Sequence, residues 1–171
     1  MKRGERGFTL IEVLVVVAIV ALIAGAAAMA TFQVINVTKR SNDHMTVTRQ
    51  VQNAGYWISH DALMAEYATV GDNPNNFLTL NWTEWSYVEG EDSIYHTAIY
   101  SFQDLSGGIG KLQRTHWVDA VVAEQTLVAE YIDYNATEVI YNTPVLTLQI
   151  TASLGEAEET KEYRVWRRPQ F

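Results

Sequence analysis

Gly7-Phe8-Thr9-Leu10-Ile11-Glu12 opens the stretch on which the reading of this chain turns. Ahead of it, Lys2, Arg3 and Arg6 stand against Glu5, and behind it Val13–Ala30 runs for 18 residues without a charge. Between Phe8 and Phe32 the only charged side chain is Glu12. With Phe8–Ile11 the run reaches the roughly 20 residues that cross about 30 Å of hydrocarbon. A basic N-terminus before such a run marks a segment that enters the membrane with its N-terminus cytoplasmic and the rest of the chain outside. Lys39 and Arg40, beyond the run, oppose that asymmetry.

A plain single-span anchor accounts for the length. A conventional cleaved signal peptide accounts for more, with an apolar region Val13–Ile23 and small residues at Ala26-Ala27-Ala28 or Ala28-Met29-Ala30 as a cleavage site. Neither explains Glu12. A carboxylate in an apolar membrane helix costs roughly 2.5–3.5 kcal/mol at the centre and less near an end, so such a residue normally has a partner and a function.

The short basic leader, Gly7, Phe8, Glu12 and the Val/Ala/Ile/Leu run together resemble the class III signal of type IV prepilins and of the pseudopilins of type II secretion. That resemblance implies cleavage between Gly7 and Phe8 by a prepilin peptidase, N-methylation of Phe8, and an assembly salt bridge made by Glu12. The chain then waits in the inner or cytoplasmic membrane and is drawn into an extracytoplasmic filament of pilin or pseudopilin subunits. The chemistry agrees: the new amine of Phe8 stands about 6 Å along the helix axis from Glu12. A carboxylate in the first turn is also favoured by the helix dipole. Spacing leaves two partners open, the amine of the same chain and that of a neighbour.

The chain has 171 residues, room for one domain with an appendage, and 48% are hydrophobic against 19% charged. It has no cysteine, which excludes a disulfide scaffold, a thiolate metal site and a Cys nucleophile. The formal charge is −8, and the residues after the basic leader carry −10, which excludes nucleic acid as an expected partner.

Helical periodicity continues past the apolar run. Val47, Val51, Ala54, Ile58, Ala62 and Ala65 form a stripe at spacings of three and four, widened by Trp57, Met64 and Ala68. The expected helix runs from Phe8 to Ala68, about 90 Å long, with Gly71 and Pro74 as its stop. Gly25 and Gly55 read as bending points within it. From Phe77 the period changes to two. Strands are expected at Phe77–Trp82, Ile94–Phe102, Lys111–Thr115, Leu127–Tyr134, Glu138–Tyr141, Val145–Thr151 and Glu162–Trp166. The fold class is therefore α+β: a long N-terminal helix, with a membrane half and an amphipathic half, packed on an antiparallel sheet. The expected divisions are a leader 1–7, a transmembrane half 8–32, an amphipathic half 33–70 and a strand-rich head 71–171. This outline resembles the pilin fold.

A finer resemblance involves the head. Arg49 with Trp57-Ile58-Ser59-His60-Asp61, Tyr100-Ser101-Phe102 with Leu112-Gln113-Arg114, and Val128-Ala129-Glu130 with Tyr134 are similar to patterns in J-type minor pseudopilins and W-type minor pilins. Lack of the C-terminal disulfide loop of many major pilins points the same way, and Glu12 argues against the tip subunit that lacks the acid. The expected function is a structural minor pilin or pseudopilin and not an enzyme. The alternative is an exported binding or enzymatic domain released by ordinary signal peptidase.

Other chemistry is not supported. Gly108-Ile109-Gly110-Lys111 lacks two defining residues of a phosphate loop and reads as a hairpin turn. His44, His60, His96 and His116 make no HExxH and no i, i+4 pair, so no metal or cofactor is expected. His60-Asp61 reads as a polar patch on the helix. The acidic runs Glu89-Gly90-Glu91-Asp92 and Glu156-Ala157-Glu158-Glu159 do not fit an EF-hand and read as solvated loops. Trp82, Trp85, Tyr87, Trp117 and Trp166 are expected mostly in the core, with an exposed pair as the alternative, where it would meet a sugar, a cell surface or another subunit. Asn36, Asn81 and Asn135 match the glycosylation pattern at a frequency near chance.

Overall fold

The apolar stripe of the helix is the surface on which the rest of the chain folds. In the computed structural model, residues 9–85 and 93–167 are described. They form one helix, α1 (Leu10–Met64), and eight strands. The strands are β1 (Tyr67–Asn73), β2 (Asn76–Glu84), β3 (Ile94–Ser106), β4 (Ile109–Val118), β5 (Val121–Asp133), β6 (Glu138–Asn142), β7 (Val145–Leu154) and β8 (Ala157–Trp166). The chain divides into two compact units, Met1–Ser41 and Asn42–Phe171. The expected leader and the Gly7–Phe8 junction lie outside the described residues.

In the second unit, Val47, Val51, Ala54, Ile58 and Ala62 of α1 are fully buried, as their spacing predicts. Strands β1 to β5 make an antiparallel meander. Its inner face places Leu78, Leu80, Ala98, Tyr100 and Leu112 in one core with the helix stripe. Strand β5 meets β7 at Ile132↔Ala152, and β6 then pairs with the other end of β7. The long β7–β8 hairpin completes an antiparallel sheet that curls until β1 and β6 adjoin. Two edge groups of β5 beyond its β4 partner are met by helix side chains: Asn53 donates to the Val128 carbonyl, and Gln50 accepts from the Glu130 N–H. These polar helix residues take the place of a neighbouring strand.

Three differences from the sequence reading have physical causes. The helix ends at Met64, not Ala68, and Tyr67–Asn73 is strand β1. Ala65 still donates to the Asp61 carbonyl, but the next N–H, that of Glu66, turns to the Asn81 carbonyl of β2. Tyr, Thr and Val at 67–70 favour the pleat. Secondly, Gly55 is a site of close approach: a Cβ there would collide with the Tyr163 ring of β8. Thirdly, most of the aromatic set is not core. Trp82 is buried, whereas Trp85 and Trp166 are 61% and 69% exposed and Trp117 is partly exposed. Strand parity explains Trp166, since its neighbour Val165 takes the inward position beside Leu146. Tyr87 and the run Glu89–Asp92 lie outside the described residues.

Gly107 and Gly108, with φ of 61° and 91°, close the β3–β4 hairpin between the paired Ser106 and Ile109. This two-residue turn needs left-handed backbone at both positions. It is the hairpin expected in place of a phosphate loop, and Lys111 is held by Asp104 at 2.8 Å.

Candidate functional site: an exposed apolar helix and a buried polar node

The first unit has one element that matters. Its part of α1 begins with Glu12 in the first turn, where the Glu12 and Val13 N–H groups donate to the Thr9 carbonyl. An 18-residue window of this helix has a mean hydropathy of 2.9, and none of it is buried. Leu10, Ile11, Val13, Leu14, Leu22 and Phe32 all expose more than half of their surface. A continuous apolar surface of this size requires lipid or other apolar helices around it. By length and composition this helix can cross a membrane. Glu12 is the acid at its start. Gly7 and Phe8, the other two expected site residues, lie outside the described residues.

The second unit holds a polar node under the helix. Tyr100 and Arg114 are direct partners across β3 and β4, so both project inward from adjacent strands. They converge on Asp61. Arg114 donates through Nε to Oδ2 at 2.6 Å and through Nη2 to Oδ1 at 3.1 Å, a two-pronged pair. The Tyr100 hydroxyl donates to Oδ2 at 2.6 Å. Trp57, one helix turn before Asp61, lies 5.2 Å from the guanidinium, face on. Asp61 is fully buried, so the expected polar patch at His60-Asp61 is corrected: His60 stays exposed and Asp61 turns into the core. Position i+3 from Ile58 puts it on the buried stripe.

Burial works against the charge of Arg114, and its hydrogen bond and charge interaction with Asp61 outweigh this, so its pKa is raised. Burial, then the Asp61 charge, lifts the Tyr100 phenol well above its usual value. The node is thus a carboxylate, a guanidinium and a neutral phenol whose hydrogen bonds are mutually satisfied.

Beside it lies a ring cluster. His96 Nδ1 and His116 Nε2 are 3.1 Å apart, and the Trp82 ring lies nearly parallel to both. His96 Nε2 stands 3.4 Å from Glu84, and Glu124 stands 3.8 Å from Arg114. Burial, the Arg114 charge and His96 lower the pKa of His116. Among the described residues, no group of three or more His, Cys, Asp or Glu side chains is arranged to hold a metal ion.

In the sequence Asp61 stands in one pattern, and Tyr100 and Arg114 stand in another. That they form one node was not legible, because Asp61 and Arg114 are 53 residues apart. The His96–His116 pair was missed. Its signal is the inward parity of both residues on neighbouring strands.

Residues 2–28 match the family model of the prokaryotic N-terminal methylation motif. No curated protein and no solved structure matches the chain. The chain carries a prepilin-type N-terminal methylation motif followed by a long apolar helix, consistent with a type IV pilin-like protein. The match ends before the head begins.

Proposed function

We propose that this chain is a structural subunit, a minor pilin or pseudopilin, of a type IV pilus or type II secretion-like filament. The observation that carries the reading is the methylation motif at residues 2–28 on a helix that exposes an unbroken apolar surface. Prepilin peptidase cuts between Gly7 and Phe8 and methylates Phe8. The head lies outside the cytoplasm and the helix remains in the membrane until assembly. There the Phe8 amine of one subunit meets Glu12 of another, because a charge in lipid is costly until it is paired. The exposed helix then exchanges lipid for neighbouring helices. The buried Asp61–Arg114 pair supports the minor-subunit reading, since both residues stand in the patterns that resemble J-type and W-type subunits.

The test compares membrane-extracted with mechanically sheared filament protein. Glu12→Ala and Glu12→Gln should both insert and be processed normally but enter filaments at least tenfold less. Equal incorporation of Glu12→Ala would reduce the acid to a neutraliser of its own helix end.

A further inference from the structure

From Asn42 onward the chain carries 18 acidic and seven basic residues, a net charge of −11. The outer face of the β1–β5 meander, opposite the helix, departs sharply from that average. One row across it reads Asn81, Thr97, Trp117 and Val122, and the next reads Thr79, Ile99, Thr115 and Gln125. A third row adds Gln113 and exposed Leu127, with Ser101 buried beside them. None of these positions is charged. Exposed Tyr67 and Tyr95 border the first row, opposite Asn81 and Thr83. The charged residues of these strands lie inward or at the rim, where Glu66, just ahead of β1, accepts from the Thr83 hydroxyl and Glu130 stands near Lys111. Glu124 shares the inner side with His116, while Lys111 is paired with Asp104 beyond the third row. Five strands at about 4.8 Å spacing make this face about 19 Å wide.

We propose that this face is a binding site for uncharged carbohydrate. Its polar groups are hydroxyls and carboxamides, each of which donates and accepts, as sugar hydroxyls do. Thr97 donates to Asn81 Oδ1 at 2.8 Å, which fixes the carboxamide in one orientation. Trp117 supplies a partly exposed aromatic surface in the first row, while its Nε1–H is buried and meets no acceptor among the described residues. The three rows hold no ion to desolvate when a neutral polymer covers them. The charge balance selects the partner. An anionic polymer is repelled by the net −11, a cationic one finds acid only at the rim, at Glu66 beside Thr83 and at Glu130 near Lys111, and a second copy brings an equal negative charge. The site does not depend on filament assembly.

The test uses the full-length protein in a polyoxyethylene detergent, which carries no sugar, with insoluble cellulose, chitin and starch as probes and alginate beads as the anionic control. Retention on at least one neutral polymer and not on alginate is expected. Thr115→Glu and Trp117→Ala should each lower the retained fraction at least tenfold, whereas Trp166→Ala, away from this face, should not. Thr115→Glu changes an outward side chain and should keep the wild-type circular dichroism, so its loss is not one of folding. Retention on none of the three polymers overturns the proposal, as does undiminished retention of Thr115→Glu. Sedimentation showing self-association that Thr115→Glu abolishes, without polymer retention, assigns the face to a second copy and equally overturns it.

Discussion

Asp61 shows what a single residue contributes to this head. Its carboxylate is buried and accepts three hydrogen bonds, two from Arg114 and one from Tyr100. Removing one member of a buried ion pair leaves an uncompensated charge and costs about 3–5 kcal/mol. Asp61→Ala and Arg114→Ala should each lower stability by that order in urea melts. Tyr100→Phe removes one bond to a charged group and should cost about 1.5–3 kcal/mol. The double variant Asp61→Leu/Arg114→Leu removes both charges together and should lose much less than the two single losses combined.

His116 makes a second, separable prediction. Burial holds its folded pKa below the 6.5 usual for histidine, so the unfolded chain binds the proton more readily. Its contribution to stability is therefore complete above pH 6.5 and is lost as pH falls from there toward the lowered folded value. The urea midpoint should drop over that window, and His116→Gln should flatten this part of the pH dependence. An unchanged slope would show that the stacked rings carry no such linkage.

At the scale of the element, α1 was the most legible part of the sequence. Val47, Val51, Ala54, Ile58 and Ala62 repeat at three and four residues, and a helix burying one stripe leaves no other period. The same rule misplaced its end, because Ala65 and Ala68 keep the spacing while the backbone turns at Glu66 to pair with β2. The inward–outward alternation of Leu78, Leu80 and Trp82 announced β2. The first half of β5 gave no such signal, since Val121–Gln125 are all exposed and do not alternate. Strand β8 was foreseen only from Glu162, because Glu158, Glu159 and Lys161 hide its pairing behind charge. Register was not legible anywhere, and the polar node depends on it through Tyr100↔Arg114.

Gly55 tests the helix–sheet contact. Helix propensity alone predicts that Gly55→Ala gains about 1 kcal/mol. The Tyr163 ring occupies the space of the new methyl, and its hydroxyl donates to the Val51 carbonyl. Overpacking costs about 1–3 kcal/mol, so the variant should melt lower than wild type. Gly55→Ala/Tyr163→Ala should relieve the clash. A higher melting point for Gly55→Ala alone would place Tyr163 elsewhere.

The whole molecule consists of two units with opposite requirements. Asn42–Phe171 has its own core, in which the second half of α1 and the sheet bury each other. A fragment starting near Thr38 should therefore be soluble, show mixed helix and strand by circular dichroism, and melt cooperatively. Aggregation of that fragment would mean that the sheet needs partners. The unit before it, Met1–Ser41, buries nothing of its apolar window and needs a lipid or helical surround. An ordinary signal peptide would discard that helix after translocation. A filament subunit must keep it.

The N-terminus of the protein isolated from the sheared cell-surface fraction separates these two fates. Mass spectrometry should find a chain that begins at Phe8, carries one methyl group on its amine and retains Glu12 and the apolar helix. A chain that begins near Met29 or Thr31, with the helix removed, would contradict assembly into a filament.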